Sequence, residues 1–228
     1  MGNRISSGEG PRTRERLFAD LVRAARACAV CPRMAGRRRV LGWENGSLAA
    51  EVLFVAEAPG RRGADRTGVP LSGDRTGEQF ERLLAAAGLR RDEVFVTNAV
   101  LCNPRDGAGR NRPPLPEEVA NCSGLLRATI EVVDPAYVVA LGNVALRALR
   151  LIAPHDARLA RDVGRLIGWN GRWLVPLYHP GARARIHRPV ERQIADFVRL
   201  GECLRRLDRR CVDQMPSRSL CHRYLQNS

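Results

Sequence analysis

The chain has 228 residues, 44% of them hydrophobic and 27% charged, a balance typical of a globular domain. Its 38 basic residues, all arginine, outnumber 24 acidic ones and leave a formal net charge of +14. This excess favours a polyanion such as nucleic acid as the partner, with a genome-wide bias toward arginine as the alternative. No run approaches about 18 apolar residues, and the N-terminus lacks the apolar core of a secretory signal. We therefore expect a cytoplasmic, nucleoid-associated protein with no membrane partner.

The length favours one domain with short flanking segments. We assign residues 12–207 to the domain, which we expect to be a monomer. The Gly-, Ser- and Arg-rich residues 1–11 are predicted to be disordered, and residues 208–228 to form a basic C-terminal tail.

Hydrophobic runs alternate with helical periodicity along the chain. Helical spacing of apolar residues is found at 13–28, 77–88, from 117 onward, at 143–151 and at 190–207. Short runs rich in Val, Leu and Phe predict four buried strands, at 50–57, 94–100, 136–142 and 172–177. This alternation predicts an α/β fold with three α/β/α layers and a central, mainly parallel four-stranded sheet.

A glycine-rich loop, APGRRGADRTGVPLSG, follows the first predicted strand. In an open α/β sheet, ligands bind in the crevice outside the carboxyl ends of the strands. Glu57, Gly60 and Asp65 are therefore expected at the mouth of a site, although an ordinary turn between strand and helix is the alternative.

The seven cysteines form an odd number, in a chain expected in a reducing compartment. A CxxC pair ends the first predicted helix, and two more cysteines flank the loop after the second strand. Four thiolates can hold either a zinc ion or an iron-sulfur cluster, and spacing does not choose between them. The alternative is that the later two are buried core cysteines. The candidate metal ligands are Cys28, Cys31, Cys102 and Cys122.

Four motifs occur in one order: AEAPG with DRTGVPLSG, then TNAVLCNP, NRPPLPEEVANC and YHPGARARIH. Together they resemble the uracil-DNA glycosylase superfamily, in particular its iron-sulfur branch, often called family four. The resemblance implies a DNA repair enzyme that flips uracil out of single- or double-stranded DNA and hydrolyses its N-glycosidic bond, leaving an abasic site. It also implies a four-iron four-sulfur cluster, with zinc as the alternative. Because the chain has no lysine to form a Schiff base, a monofunctional enzyme is expected.

The resemblance also implies roles for individual residues. Asn98 would read the O4 and N3–H edge of uracil, and His179 would donate to uracil O2 as negative charge builds there. The backbone from Glu57 through Ala58 to Gly60 would line the pocket, and Leu71 stands where the family has a stacking aromatic residue. A wedge and phosphate contacts would come from Arg183, Arg185, Ile186, His187 and Arg188.

The chain departs from the family in its first motif. Ala64 replaces an acidic residue, so Asp65 is expected to orient the water, with Glu57 or the main chain as alternatives. The aspartate of the best-known uracil glycosylases would fall at Ala58. These departures leave three other functions open: a non-catalytic uracil-DNA binding protein, a protein that traps DNA covalently, and a glycosylase for hypoxanthine or xanthine.

Overall fold

The computed structural model describes residues 13–214. The predicted disordered N-terminus and the last part of the predicted tail lie outside these residues. Within the described part of the chain, no helix combines the length and apolar character needed to cross a bilayer.

The central sheet has five strands in the order β2-β1-β3-β5-β4. The first four in this order are mutually parallel, so the predicted mainly parallel α/β sheet is confirmed. The strands are β1 (Val52–Ala56), β2 (Phe95–Asn98), β3 (Tyr137–Leu141), β4 (Ile167–Trp169) and β5 (Arg172–Leu177).

The predicted count of four strands is wrong because β4 was missed. This three-residue edge strand pairs antiparallel with β5 across Asn170 and Gly171, whose φ angles are +48° and +71°. Two successive positive φ angles define the type I′ hairpin that Asn-Gly favours. The Asn-Gly pair was therefore the available signal, but a short strand with a central glycine shows no readable alternation.

Eight helices surround the sheet in the described residues. α1 (Arg14–Ala27), α4 (Pro116–Val133) and α5 (Asn143–Ile152) contribute to the core on one face, together with Leu53 and Val55. α3 (Arg75–Ala87) and α8 (Val190–Gln214) cover the other face. The short helices are α2 (Ala64–Thr67), α6 (Leu159–Asp162) and α7 (Ala182–Arg185).

The alternation of side chains along β1 shows how the sequence produces these layers. All five residues of β1 are buried, with Leu53 and Val55 in one core and Val52, Phe54 and Ala56 in the other. This is the period-two pattern of a strand covered on both faces. The three-layer prediction is therefore confirmed. α8 extends beyond the predicted end at residue 207, to Gln214.

The two helices on the second face approach closely at Gly201. A Cβ built there would lie 1.9 Å from the carbonyl oxygen of Ala87 on α3. We expect Gly201→Ala to force the helices apart and to lower the free energy of unfolding by on the order of 1–3 kcal/mol. Gly124→Ala is the matched control, because a Cβ at this exposed position of α4 meets nothing within 4 Å.

Chemical denaturation of the two variants and the parent checks this prediction. The control should be stabilised by about 0.5–1 kcal/mol, since alanine favours helix over glycine. Equal stability of the two variants would contradict the close packing of α3 on α8.

Candidate active site

A cavity of about 630 Å³ opens at the carboxyl edge of the sheet. The segment that follows each of the four parallel strands contributes residues to its wall. Glu57 follows β1, Asn103 follows β2, Gly142 follows β3 and His179 follows β5. We call this space the strand-end cavity.

The glycine-rich loop contributes most of its predicted site residues to the strand-end cavity. Glu57, Ala58, Gly60 and Leu71 all line it. Leu71 has a φ of +49°, a left-handed conformation that is unfavourable for a residue with a Cβ. Such strain is typical of functional sites, where the surroundings impose it.

Asp65 does not line the strand-end cavity. It lies in α2, and its carboxylate forms an ion pair with Arg105, from the loop after β2. The other carboxylate oxygen of Asp65 is buried and has no partner among the described residues. The predicted role of Asp65 in orienting water thus stays a prediction, and the geometry gives it a bracing contact instead.

Asn103 joins the loop after β1 to the loop after β2. Its side-chain nitrogen donates to the Pro59 carbonyl at 2.6 Å and to Asn111 Oδ1 at 3.0 Å. The same Asn111 oxygen accepts from the Arg61 backbone at 3.1 Å, and Arg105 Nε donates to Asn103 Oδ1 at 2.6 Å. Sequence reasoning missed this network, because no local pattern shows that residues so far apart in the chain pair.

His179 presents a defined hydrogen-bond donor. Its Nδ1 accepts from the backbone N–H of Gly181 at 3.0 Å, so in the neutral ring the proton is on Nε2. Burial and, to a smaller extent, the positive charge of Arg183 lower the pKa of His179 to about 4, while Asp74 acts in the opposite direction. A Cβ at Gly181 would lie 2.9 Å from Nδ1, so glycine permits this close contact. The imidazole is therefore neutral at neutral pH.

Asp74 is a carboxylate of the cavity wall that sequence reasoning missed. One of its oxygens caps α3, accepting from the backbone of Thr76 at 2.9 Å and of Gly77 at 3.1 Å. Its other oxygen lies against the glycine loop, 3.3 Å from where a Cβ at Gly60 would be. The signal was present as an aspartate directly before a helix, a preferred N-cap position.

Glu57 places a second carboxylate in the wall. Burial raises its pKa, while the positive charges of Arg183 and Arg147 act in the opposite direction. Its Oε1 lies 3.7 Å from Nη2 of Arg183, an exposed side chain. Glu57 is thus held near a cation but not locked by a short hydrogen bond.

Asn98 ends β2 and is buried, but it is not in the wall of the strand-end cavity. Its side-chain nitrogen has no hydrogen-bond partner among the described residues. A buried donor without an acceptor lowers the stability of the fold by about 1–3 kcal/mol, so an acceptor atom of a bound ligand would stabilise this nitrogen.

The segment after His179 differs from residue to residue. Ile186 is 80% exposed, Arg183 is exposed, and exposed His187 also lines the strand-end cavity. Arg185 Nε is buried without a partner among the described residues. Arg188 is held by buried Asp196, with contacts of 2.8 and 2.5 Å, which engages its guanidinium within the protein.

The four candidate ligand cysteines come from four segments of the chain. Cys28 ends α1, Cys31 precedes a short turn, and Cys102 and Cys122 are buried after β2 and in α4. Burial and the nearby thiols of Cys122, Cys28 and Cys31 raise the pKa of Cys102 to about 12, while the positive charge of Arg39 acts in the opposite direction.

As the side chains stand, no three His, Cys, Asp or Glu groups among the described residues are close enough to hold one metal ion. A zinc ion would bring its thiolates to within about 4 Å of one another, given Zn–S bonds of about 2.3 Å. The four thiols nevertheless interact electrostatically with one another, and four cysteines are a donor set that suits either a zinc ion or an iron-sulfur cluster.

The fold, with a cavity where the loops after parallel strands meet, defines a three-layer α/β protein that binds its ligand at the carboxyl edge of the sheet. The chain belongs to the uracil-DNA glycosylase superfamily, since the family model described as "Uracil DNA glycosylase superfamily" matches residues 43–200.

Individual relatives support the same conclusion. A type-4 uracil-DNA glycosylase of Thermotoga maritima is 36% identical over 74% of this chain and 83% of its own length. A type-4 enzyme of Archaeoglobus fulgidus is 32% identical over 80% of this chain and 91% of its own length. A type-5 uracil-DNA glycosylase of Pyrobaculum aerophilum is 33% identical over 72% of this chain and 82% of its own length. The predicted resemblance to the superfamily and its family-four branch is confirmed.

The pKa of His179 gives a direct test of the site. We expect its ring to stay neutral, protonated on Nε2, down to about pH 4, and a pH titration followed by NMR of protein with labelled histidine measures this. Between pH 6.5 and pH 4 the unfolded chain binds this proton and the folded protein does not, so His179 makes stability fall as the pH is lowered through that window. The NMR signal of the His179 ring is assigned by its absence from the spectrum of the His179→Ala variant. Protonation between pH 6 and 7 would contradict the buried, neutral donor.

Proposed function

We propose that this chain is a monofunctional uracil-DNA glycosylase that acts in DNA repair. The observation that carries the proposal is the neutral His179 with its Nε2–H donor at the strand-end cavity, in a chain of this superfamily. A base within a duplex is out of reach of such a cavity, so uracil would be flipped out of the stack before hydrolysis.

His179 would stabilise the leaving base. As the N-glycosidic bond breaks, negative charge develops on uracil O2, and a preorganised donor in a water-poor site favours that charge. Since the pKa of His179 is lowered to about 4, the ring donates a hydrogen bond without first carrying a charge that must be desolvated. The hydrogen bond from Gly181 holds the ring in the required tautomer.

Asn98 would select uracil against cytosine. Its side-chain nitrogen can donate to uracil O4 and its oxygen can accept from N3–H, whereas cytosine presents the opposite pattern. The unpartnered state of that buried nitrogen supports this role. Ala58, Gly60 and Leu71 in the wall would contact the base, with Leu71 as an aliphatic substitute for the aromatic platform.

The attacking water needs a carboxylate or main-chain acceptor. Glu57 lies in the wall, while Asp65 is engaged by Arg105, so the contacts favour Glu57 for this role and a bracing role for Asp65. Asp74 is also in the wall, but its Oδ1 already caps α3.

DNA would be held by the segment after His179. Ile186, at 80% exposure, has the form of an apolar wedge that replaces a flipped base in the stack. Arg183, Arg185 and His187 would contact phosphates. Arg188 would contribute less than predicted, because Asp196 holds its guanidinium.

The four cysteines would bind a four-iron four-sulfur cluster in this chain. The donor set fits, since four converging thiols are supplied by α1, the turn after it, the β2 loop and α4. The cluster supplies a cross-link between these elements. Two buried thiolates would otherwise carry unfavourable charge, as the raised pKa values of Cys102 and Cys122 show.

The proposed activity predicts cleavage of a uracil-containing oligonucleotide only after enzyme treatment is followed by alkali. His179→Ala should slow the chemical step about a hundredfold with little change in DNA binding, the usual effect of losing one preorganised donor. Single-turnover rates measure this step. An absence of alkali-labile product at enzyme excess would contradict the proposal.

Two conservative changes separate the candidates for the water. We expect Glu57→Gln to lower the single-turnover rate more than Asp65→Asn, with DNA affinity unchanged in the first. Asp65→Asn should instead lower the thermal midpoint, because it weakens the bracing pair with Arg105. The reverse order of rates would assign the water to Asp65, and near-full activity in both would assign it to the main chain.

The cluster predicts brown protein with visible absorption and about four irons per chain when purified anaerobically. Cys28→Ala should bleach the protein and destabilise the fold, whereas Cys203→Ala, on α8, should leave the colour unchanged. Stoichiometric zinc in a colourless, fully active preparation would contradict the assignment.

Leu71 and Ala64 in the cavity wall support a second candidate, a glycosylase for other deaminated bases or a uracil-DNA binding protein without catalysis. Both residues are smaller or less polar than the groups they replace, which leaves a less specific platform for the base. A panel of oligonucleotides with uracil, hypoxanthine or xanthine distinguishes these readings. Excision of a purine base at the uracil rate would favour the broader range.

A further inference from the structure

A second cavity, of about 430 Å³, lies beside the strand-end cavity and has no role in the chemistry proposed above. It is formed by the end of α1, the segment after the CxxC pair and the end of α2. We call it the arginine pocket, and its lining residues are Arg26, Arg37, Arg38, Arg39, Leu41, Gly42, Glu44, Thr67 and Gly68.

Four guanidinium groups line this pocket against the single carboxylate of Glu44. Arg37 Nε is buried and has no hydrogen-bond partner among the described residues. Like charges held this close repel one another, and a buried N–H without an acceptor is unfavourable. An anion in the pocket would relieve both.

The pocket is held in place by its surroundings. Arg39 donates from Nε to the carbonyl of Cys28 at 3.0 Å and from Nη1 to the carbonyl of Arg37 at 2.8 Å. Gly68, with a φ of +84°, approaches so closely that a Cβ there would lie 2.6 Å from Arg38 Nη1. These contacts hold Arg39 against the cysteine segment and place Arg38 next to the glycine loop.

We propose that the arginine pocket binds a phosphate group of the DNA backbone, a few nucleotides from the flipped base. The planar fork of a guanidinium group matches two phosphate oxygens, and charge-assisted hydrogen bonds of this kind are the strong ones. The proposal rests on the proposed action on DNA. It extends the DNA-binding surface to residues that were not assigned to DNA binding above.

The position of α2 supports a backbone phosphate. Ala64 at its start lines the strand-end cavity, and Thr67 at its end lines the arginine pocket. A four-residue helix is about 6 Å long, and a DNA strand advances about 3.4 Å per nucleotide. One strand with its base in the first cavity therefore reaches the second within a few nucleotides.

An exposed aromatic side chain next to the pocket favours DNA over a free anion. Trp43 is 53% exposed, lies between the lining residues Gly42 and Glu44, and packs edge-on against Phe18 with ring centroids 5.0 Å apart. An exposed aromatic ring beside arginines is typical of surfaces on which unpaired bases stack.

The test compares two double variants of the full chain. Arg37→Ala with Arg38→Ala removes two charges from the pocket, and Arg82→Ala with Arg199→Ala removes two exposed charges from α3 and α8, on the other face of the sheet. Affinity for uracil-free DNA is measured by fluorescence anisotropy over a salt series.

We expect the pocket variant to bind about tenfold more weakly near 0.1 M salt, with a log–log salt slope shallower by about one. The control should change both values much less. Equal changes in the two variants, or an unchanged slope in the pocket variant, would overturn the proposal. If the pocket variant does not fold, Arg26→Ala with Arg38→Ala, both at exposed positions, replaces it.

Neutral methylphosphonates, placed one at a time in the uracil strand, identify the phosphate. The parent should lose affinity at one or two positions near the uracil, and the pocket variant should be insensitive at the same positions. If the parent binds inorganic phosphate or pyrophosphate but shows no methylphosphonate-sensitive position, the pocket binds a free anion. That result would overturn the proposal that it binds a phosphate of the DNA backbone. Uracil excision is measured separately, so a failure of glycosylase activity with normal DNA binding counts against the proposed function and not against the pocket.

Discussion

The parallel pairing of β1, β2, β3 and β5 is the constraint on which the candidate site depends. Because all four strands run in the same direction, their carboxyl ends meet at one edge, where the chain must turn without ladder hydrogen bonds. Glu57, Asn103, Gly142 and His179 reach a common cavity for this reason, although they are widely separated in the chain. Two buried cores hold the sheet rigid, so the loops are positioned by a scaffold that does not itself take part in the chemistry.

The electrostatic design of the site follows from burial as much as from residue type. Burial removes the charge from His179 and raises the pKa of Glu57, whereas exposed Arg183 acts on both from the rim. An arginine at this place favours a neutral imidazole and an ionised carboxylate, which is the combination that the proposed departure of the base and attack of water would require. The same arginine would meet DNA phosphates, so binding of DNA would weaken its hold on both groups.

Short-range patterns predicted most of the fold and part of the site. The Val-, Leu- and Phe-rich run at 50–57 predicted a buried strand, and His179 was expected after the strand predicted at 172–177. The contacts that the sequence did not reveal join residues that are distant in the chain. The pairing of Asp65 with Arg105 and of Arg188 with Asp196 involves partners that no local period reveals. The missed β4 is too short to show alternation, and Asp74 looked like part of a loop although it caps a helix.

The side-chain amide of Asn103 joins the loops after β1 and β2, so that they form one continuous part of the cavity wall. Its hydrogen bonds to Pro59 and Asn111, together with the Asp65–Arg105 pair, tie these two loops to each other. The segment after β5 contacts this part of the wall through Arg183, whose Nη2 lies 3.7 Å from Oε1 of Glu57. A change at Asn103 would therefore affect both loops of the cavity wall at once, because its side-chain amide bonds to each of them.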